Sequence, residues 1–433
     1  MTRIDFKSGL RRLAPVLSLA VIISLGYAIE DLVLKSPEPA AAKGLIIPSP
    51  PVLGVAGANS RETTFIVPPD LRAAPYHWDL VPSNDTSIQV LRSCDYYATV
   101  LGEPPVSAYR WWCWDQTQQT LISFSGATAF EDVVRSHPDW IWMIANEPDH
   151  IDQDGLSPEA YAEFFGAVAT RVANALRIDN PAAIPKLVFC QVSSTDRKSY
   201  CEQAYFTLKQ FIEEGHWPDW PADLRASDVI HAVSVHNYLP TDPTCAPGGP
   251  ACFGSTLEEG QLEQTMTAWS AGMDDFAAWA DSMDGGILAD KPLWLTEFGA
   301  LWAFCPGALE FRAGIDSAGG VPCPDTAIRG NGTIADDYVF YGRNEREGIW
   351  GAQRLALNYL LNPGGNPNAN RGEWAAAWWF GGRMDWLEGK ECKATVWLLG
   401  DDTDCTRSYR RLSHAGQTFR NIIGCLAYGR LCS

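Results

Sequence analysis

The sequence predicts an α/β fold, a (β/α)8 TIM barrel, and three observations carry that prediction. Apolar runs of about five to nine residues recur along the chain, segments of helical length separate them, and the runs show little polar alternation. Strands covered by helices on both faces read this way, because neither face meets water. Strand and helix taking turns is the pattern of a parallel sheet with helices outside it.

Taken in order, the elements begin with an address. Arg3, Lys7, Arg11 and Arg12 precede an uncharged, largely apolar stretch, 13–29, that ends at Glu30 and Asp31. Residues 1–35 therefore read as a signal peptide or an N-terminal membrane anchor. No A-x-A pattern follows the apolar run, which favours an anchor with its basic side cytoplasmic. Either form exports the rest to the extracellular or cell-surface side. Residues 36–60, rich in Pro, Ala and Gly and including Pro48-Ser-Pro-Pro51, read as a linker. Residues 61–433 read as one barrel domain with a disulfide-bearing C-terminal extension. Its later strands fall at 140–145, 186–192, 230–238, 292–298 and 374–380, with helices at 157–178, 200–215, 257–283 and 337–361. Ser157-Pro-Glu starts the first of these helices with an N-cap and a proline at N1. Eight strands fit only if 61–135 supplies three, for which 63–67, 76–81 and 109–114 are the candidates.

Charge and cysteine content narrow the partners. With 52 acidic against 33 basic residues the net charge is −19, so nucleic acid is not an expected partner. Twelve cysteines agree with export to an oxidising compartment. Their spacing suggests short-loop pairs Cys245/Cys252, Cys305/Cys323, Cys392/Cys405 and Cys425/Cys432, and leaves Cys94, Cys113, Cys190 and Cys201 unassigned. The long loops 240–256 and 300–335 would carry disulfides on the catalytic face. No C-x-x-C, EF-hand, G-x-S-x-G or phosphate-loop pattern occurs, so no metal or cofactor is expected. The sequons at Asn84 and Asn331 accept glycans only where the host glycosylates exported chains.

The residues that carry chemistry stand at strand ends. Asn146-Glu147-Pro148-Asp149 follows the run 140–145, which on a barrel puts Glu147 on the catalytic face. Glu297 lies in Leu293-Trp-Leu-Thr-Glu-Phe298, where strand alternation sets it on one face with Leu293 and Leu295. A buried acid needs a partner or a task. Between them Ala232, Ser234, His236 and Tyr238 share a face of 230–238. Two carboxylates across a cleft suit glycosidic hydrolysis by double displacement, one as acid/base and the other as nucleophile.

These motifs resemble the signature of clan A glycoside hydrolases. The Asn146-Glu147-Pro148 triplet, His236-x-Tyr238 and Glu297 come in the clan's order. NEPD with LWLTEFG is most similar to its endo-β-1,3-glucanase-like branch, with cellulase-like branches behind. The resemblance implies a (β/α)8 barrel and retention of anomeric configuration, with Glu147 as acid/base after strand 4 and Glu297 as nucleophile after strand 7. It further implies that Asn146 binds the sugar 2-hydroxyl, that Tyr238 hydrogen-bonds the nucleophile, that His236 lines the same subsite, and that Trp378 or Trp379 is a stacking floor on strand 8. Arg110 is the candidate for the clan's strand 2 arginine. Trp112, with Trp111, Trp114 and Trp302, is a candidate sugar platform, since flat rings stack on sugars. The expected partner is an oligo- or polysaccharide. A transglycosylase with the same carboxylate pair, or a non-catalytic carbohydrate-binding or cell-surface scaffold barrel, remains the alternative.

Overall fold

The computed structural model describes residues 52–56, 66–74, 86–99, 112–123, 129–151, 153–238, 261–299, 349–361, 374–380 and 419–423. All belong to one compact unit, Ser49–Ser433. Seven strands build its main sheet: β1 (Val52–Ala56), β2 (Ile88–Leu91), β5 (Ile141–Ile144), β6 (Leu187–Val192), β7 (Ile230–His236), β8 (Leu293–Phe298) and β9 (Trp374–Phe380). Their order is β1-β9-β8-β7-β6-β5-β2, and every pairing is parallel. Leu53 makes a further parallel bridge to Arg72, which adds an eighth stave beyond β1.

Two hydrophobic clusters reveal closure. Ala56, Ala73, Ile88, Val90, Met143, Val188, Ala232, Trp294, Ala376 and Trp378 form one cluster to which all eight staves contribute, and this is the barrel interior. The other, much larger, holds the alternate residues of the same strands, such as Leu53, Val55, Ile144, Phe189 and Leu295, against the helices. The fold is a (β/α)8 barrel, as the alternation of apolar runs predicts.

The helices include α1 (Cys94–Thr99), α2 (Phe130–Ser136), α3 (Pro158–Arg177), α4 (Lys198–Glu213), α5 (Ala226–Val229), α6 (Gln261–Ser282) and α7 (Ile349–Leu361). In α3 the Ser157 side chain accepts from the Ala160 amide at 3.1 Å, Pro158 has no N–H that would need an acceptor, and Arg177 sits in the last turn. Tyr161, Phe164, Phe165, Val168 and Val172 bury its inner face. Tyr161 Oη accepts from the Cys190 amide at 2.9 Å, which ties the helix to β6.

The later strands stand where the sequence predicts them, and the first part of the barrel does not. Val52–Ala56, read as linker, is β1, paired along its length with β9. Its central Gly54 disguises it: a Cβ there would meet the Trp378 indole at 2.1 Å, so only glycine lets ring and backbone approach. The candidate 63–67 gives no strand in its described residues, 66–67, and 76–81 lies outside the described residues. The 109–114 candidate becomes β3 (Trp112–Asp115), which pairs antiparallel with β4 (Thr120–Ser123) as a hairpin of its own, bridged through Trp114 to Ser93 just past β2. Its turn forms because Asp115 Oδ1 accepts the Thr117 and Gln118 amides at 2.8 and 2.9 Å.

Disulfides join Cys94 to Cys113 and Cys190 to Cys201. The proposed short-loop pairs, the loops 240–256 and 300–335, the asparagines of both sequons, the N-terminal segment 1–35 and nearly all of the C-terminal extension lie outside the described residues. Among the described residues no helix is long and apolar enough to cross a membrane.

Candidate active site

The site residues gather at the strands' C-terminal ends, where a parallel barrel opens to solvent: Asn146 and Glu147 just past β5, His236 as the last residue of β7 with Tyr238 two beyond it, and Glu297 one residue before the end of β8. β5 ends at Ile144, and the chain then turns sharply through Ala145 and Glu147, whose φ values of 64° and 43° lie in the left-handed region. Cys190 and Gln191 at the neighbouring end of β6 do the same, at 88° and 47°. Non-glycine residues held there cost about 1–3 kcal/mol each and persist only where surroundings over-determine them. Hydrogen bonds do so here. The Glu147 amide donates to the Gln191 carbonyl at 3.1 Å, and the Ala145 amide to Leu91 at 2.7 Å.

Glu297 reaches the mouth by an irregularity that alternation does not foresee. Leu293 and Leu295 face the helices and Trp294 the interior, so strict alternation would send Glu297 outward. Val235 pairs with Leu295 but His236 with Glu297, which leaves Thr296 as an extra residue on β8. This β-bulge re-aims Glu297 into the site. The sequence reading placed Glu297 on the face of Leu293 and Leu295, and the structure corrects that.

Glu147, His236 and Glu297 meet. His236 Nδ1 lies 2.9 Å from Glu147 Oε1 and 3.4 Å from Glu297 Oε2, and Tyr238 Oη donates to Glu297 Oε2. One nitrogen and one oxygen from each glutamate all fall within 4.8 Å of one another. Such a set is within reach of a single zinc-like ion, which would have to displace the proton of His236 Nδ1.

Burial disfavours charge on His236, but the carboxylates of Glu297, Glu147 and Asp149 outweigh it and hold its pKa above the ordinary value. Burial would raise Glu147, yet the hydrogen bond and charge of His236, with His150 and Arg92 beyond, hold it below the usual carboxylate range. Both directions favour a charge-assisted hydrogen bond between His236 and Glu147.

Asn146 also stands where the sequence places it. Its amide donates to Asp154 Oδ2 at 2.6 Å and its side chain to Gln153 Oε1 at 3.4 Å. Asp149 accepts from the Ser193 amide and hydroxyl at 2.9 and 2.6 Å and pairs with Arg197 at 3.3 Å.

The aromatic assignments fare differently. Trp378 faces the barrel interior, packs on Trp294 with ring centroids 5.1 Å apart, and donates to the Ala74 carbonyl at 2.9 Å. Trp379 faces outward against Phe298 and Phe419, which removes it from the site. Trp112 is buried in the hairpin against Phe130 and offers no open face. Its bulk fills core instead. Arg110, Trp111 and Trp302 lie outside the described residues.

Sequence reasoning missed Arg92, which follows β2. It is buried and ion-paired to Asp154 at 3.0 Å, and its guanidinium lies over the Tyr96 ring at 3.4 Å. Burial pushes the Asp154 pKa up against the opposing pull of Arg92 and two amides. The one available signal, an acid eight residues past Asn146 in a loop, has no periodicity to mark it.

No protein-family model matches the chain, and no curated relative matches it either. Among solved structures the chain is similar to GH128 β-1,3-glucanases. One is the subgroup II endo-β-1,3-glucanase of Sorangium cellulosum, at 18% identity over 85% of this chain and 97% of that one, with a TM-score of 0.37. The subgroup II endo-β-1,3-glucanase of Pseudomonas viridiflava is 12% identical over 86% and 96%, at 0.42. A curdlan-specific exo-β-1,3-glucanase of Blastomyces gilchristii, crystallised with glucose, is 12% identical over 85% and 97%, at 0.36.

Proposed function

We propose that the chain is a retaining glycoside hydrolase that cleaves a β-linked glucan, with Glu147 as acid/base and Glu297 as nucleophile. The observation that carries this reading is the spacing of the two glutamates, whose nearest oxygens fall within 4.8 Å across the barrel mouth. Retaining pairs stand about 5–5.5 Å apart, whereas inverting pairs leave about 6.5–9.5 Å for a water. The motif likeness of NEPD and LWLTEFG to endo-β-1,3-glucanases makes a β-1,3-glucan the first substrate to try.

In this mechanism Glu147 gives its proton to the glycosidic oxygen as the bond to C1 breaks, and Glu297 bonds to C1. After the leaving sugar departs, Glu147 takes a proton from water, the hydroxide attacks C1, and Glu297 is released ionised. The resting proton sits on His236 Nδ1. Its transfer along the 2.9 Å hydrogen bond yields protonated Glu147 beside neutral His236, the form the first step needs. A glucan filling the mouth favours that transfer, because excluding water penalises the ion pair. Tyr238 donates to Glu297 and so favours its ionised form. Asn146, next to Glu147, is assigned to the sugar 2-hydroxyl.

The test is cleavage of laminarin, with the first-formed anomer read by proton NMR. Retained configuration and loss of cleavage in Glu297→Gln support the reading, and unchanged cleavage in that variant overturns the nucleophile. A wild type that binds glucan and cleaves none makes the scaffold reading correct, while products longer than the substrate point to transglycosylation. The proposal includes export. Two disulfides and the basic-then-apolar segment 1–35 support it, and fractionation of cells expressing the full chain tests it.

A further inference from the structure

A single buried carboxylate underlies the turn that carries Glu147. Asp154 has no exposed side-chain surface, and three donors occupy its oxygens. Oδ2 accepts from the Asn146 amide at 2.6 Å and Arg92 Nε at 3.0 Å, and Oδ1 accepts from the Ser93 amide at 2.7 Å. These donors come from the ends of β2 and β5, adjacent strands of the sheet. Asn146 lies between Ala145 and Glu147, the two residues that the turn forces to positive φ. Gln153 reinforces the same junction, accepting from Arg92 Nη2 at 2.8 Å and from Asn146 at 3.4 Å.

We propose that Asp154 is a positioning residue that clamps the strained Asn146-Glu147 turn to the end of β2 and so sets where the acid/base carboxylate stands. The proposal rests on the assignment of Glu147 made above. With its acceptor sites occupied and its surface buried, Asp154 does not reach a sugar. It acts through the Asn146 amide. A non-glycine turn at positive φ has lower-energy alternatives, and a charge-assisted bond to the peptide between its two strained residues is what denies them. Losing that bond frees the turn and displaces Glu147, while distant binding contacts survive.

The test is Asp154→Asn, which keeps the volume but sets an amide donor against donors. Misalignment of this kind predicts a fall in kcat of about 100-fold with KM held within about threefold. Hydrogen exchange read by mass spectrometry speeds up in peptides covering 92–94 and 144–149 and stays unchanged in β7 and β8. Adding Ala145→Gly, which lets residue 145 adopt positive φ freely, restores at least about tenfold of the lost kcat. Wild-type kcat in Asp154→Asn, or unchanged exchange at 144–149, overturns the proposal, as does a double variant with no recovery. If Asp154→Asn alone does not fold, the double variant is compared with Ala145→Gly on exchange at 144–149, and equal rates overturn the clamp. A wild type inactive on every β-glucan defeats the proposed function alone, since the exchange measurement needs no substrate.

Discussion

Replacing His236 with glutamine tests the electrostatics of the site from two directions. In the wild type His236 Nδ1 lies 2.9 Å from Glu147 and 3.4 Å from Glu297 and the side chain is fully buried, and the proposed mechanism keeps the resting proton there. An opposite charge this close lowers a carboxyl pKa by about 1–3 units, and each unit is worth about 1.4 kcal/mol. In His236→Gln burial acts on Glu147 unopposed by that charge, so its pKa rises past the ordinary 4.5. The acid limb of kcat/KM on laminarin belongs to the group that must be ionised, the nucleophile Glu297; with the positive charge 3.4 Å from its carboxylate removed, that limb should move up by about 1–3 units. Stability carries the same signature. Glu147, whose folded pKa is depressed, contributes stability fully above 4.5 and loses it as pH falls through the folded value. His236, whose folded pKa is raised, contributes fully below 6.5 and loses it as pH rises through the folded value. The ion pair is a single interaction, complete only between those values, so the wild-type contribution to Tm peaks there. A loss of about 2 kcal/mol is worth about 2–3 °C in a domain of this size. His236→Gln should flatten that peak. An acid limb and a Tm profile that both match the wild type would refute the shared-proton account.

Three further outcomes follow from the geometry. Glu147→Gln should lower kcat by about 10²- to 10⁴-fold on glucan but far less on an aryl glucoside whose leaving group needs no proton, whereas Glu297→Gln should abolish turnover on both; equal losses across the two substrates would reverse or void the assignment. Gly54→Ala should destabilise by about 1–3 kcal/mol or more, measured by denaturant unfolding, because the new Cβ falls 2.1 Å from the Trp378 indole; an unchanged midpoint would mean that this ring is not packed on β1. Reduction of Cys94–Cys113 and Cys190–Cys201 should each cost about 2–4 kcal/mol of stability, read as a lower Tm under dithiothreitol or in Cys→Ser pairs.

Regularity is what the sequence makes legible, and the site is built where regularity fails. β5 to β9 are near-continuous apolar runs because helices cover them outside and side chains fill them inside, so their positions read directly from the hydrophobic pattern, and the resemblance to clan A makes a site of Asn146, Glu147, His236, Tyr238 and Glu297 at their ends. β1 hid behind Gly54 and the Pro-rich stretch before it, and β2 is four residues with a buried Gln89 among them. No period separates Trp378, which faces the interior, from Trp379, which faces the helices, until β1 is known to pair with β9. Glu297 is the sharper case. Two-residue alternation selected it for the site by a face that points at the helices, and the extra Thr296 turned it inward. Ala145, Glu147, Cys190 and Gln191 violate backbone preference at neighbouring strand ends. Asp154, far from any pattern, bonds the peptide between the first two. Residues that break a local rule need a partner elsewhere to hold them there, and following each violation to its partner is how the network around Glu147 becomes visible.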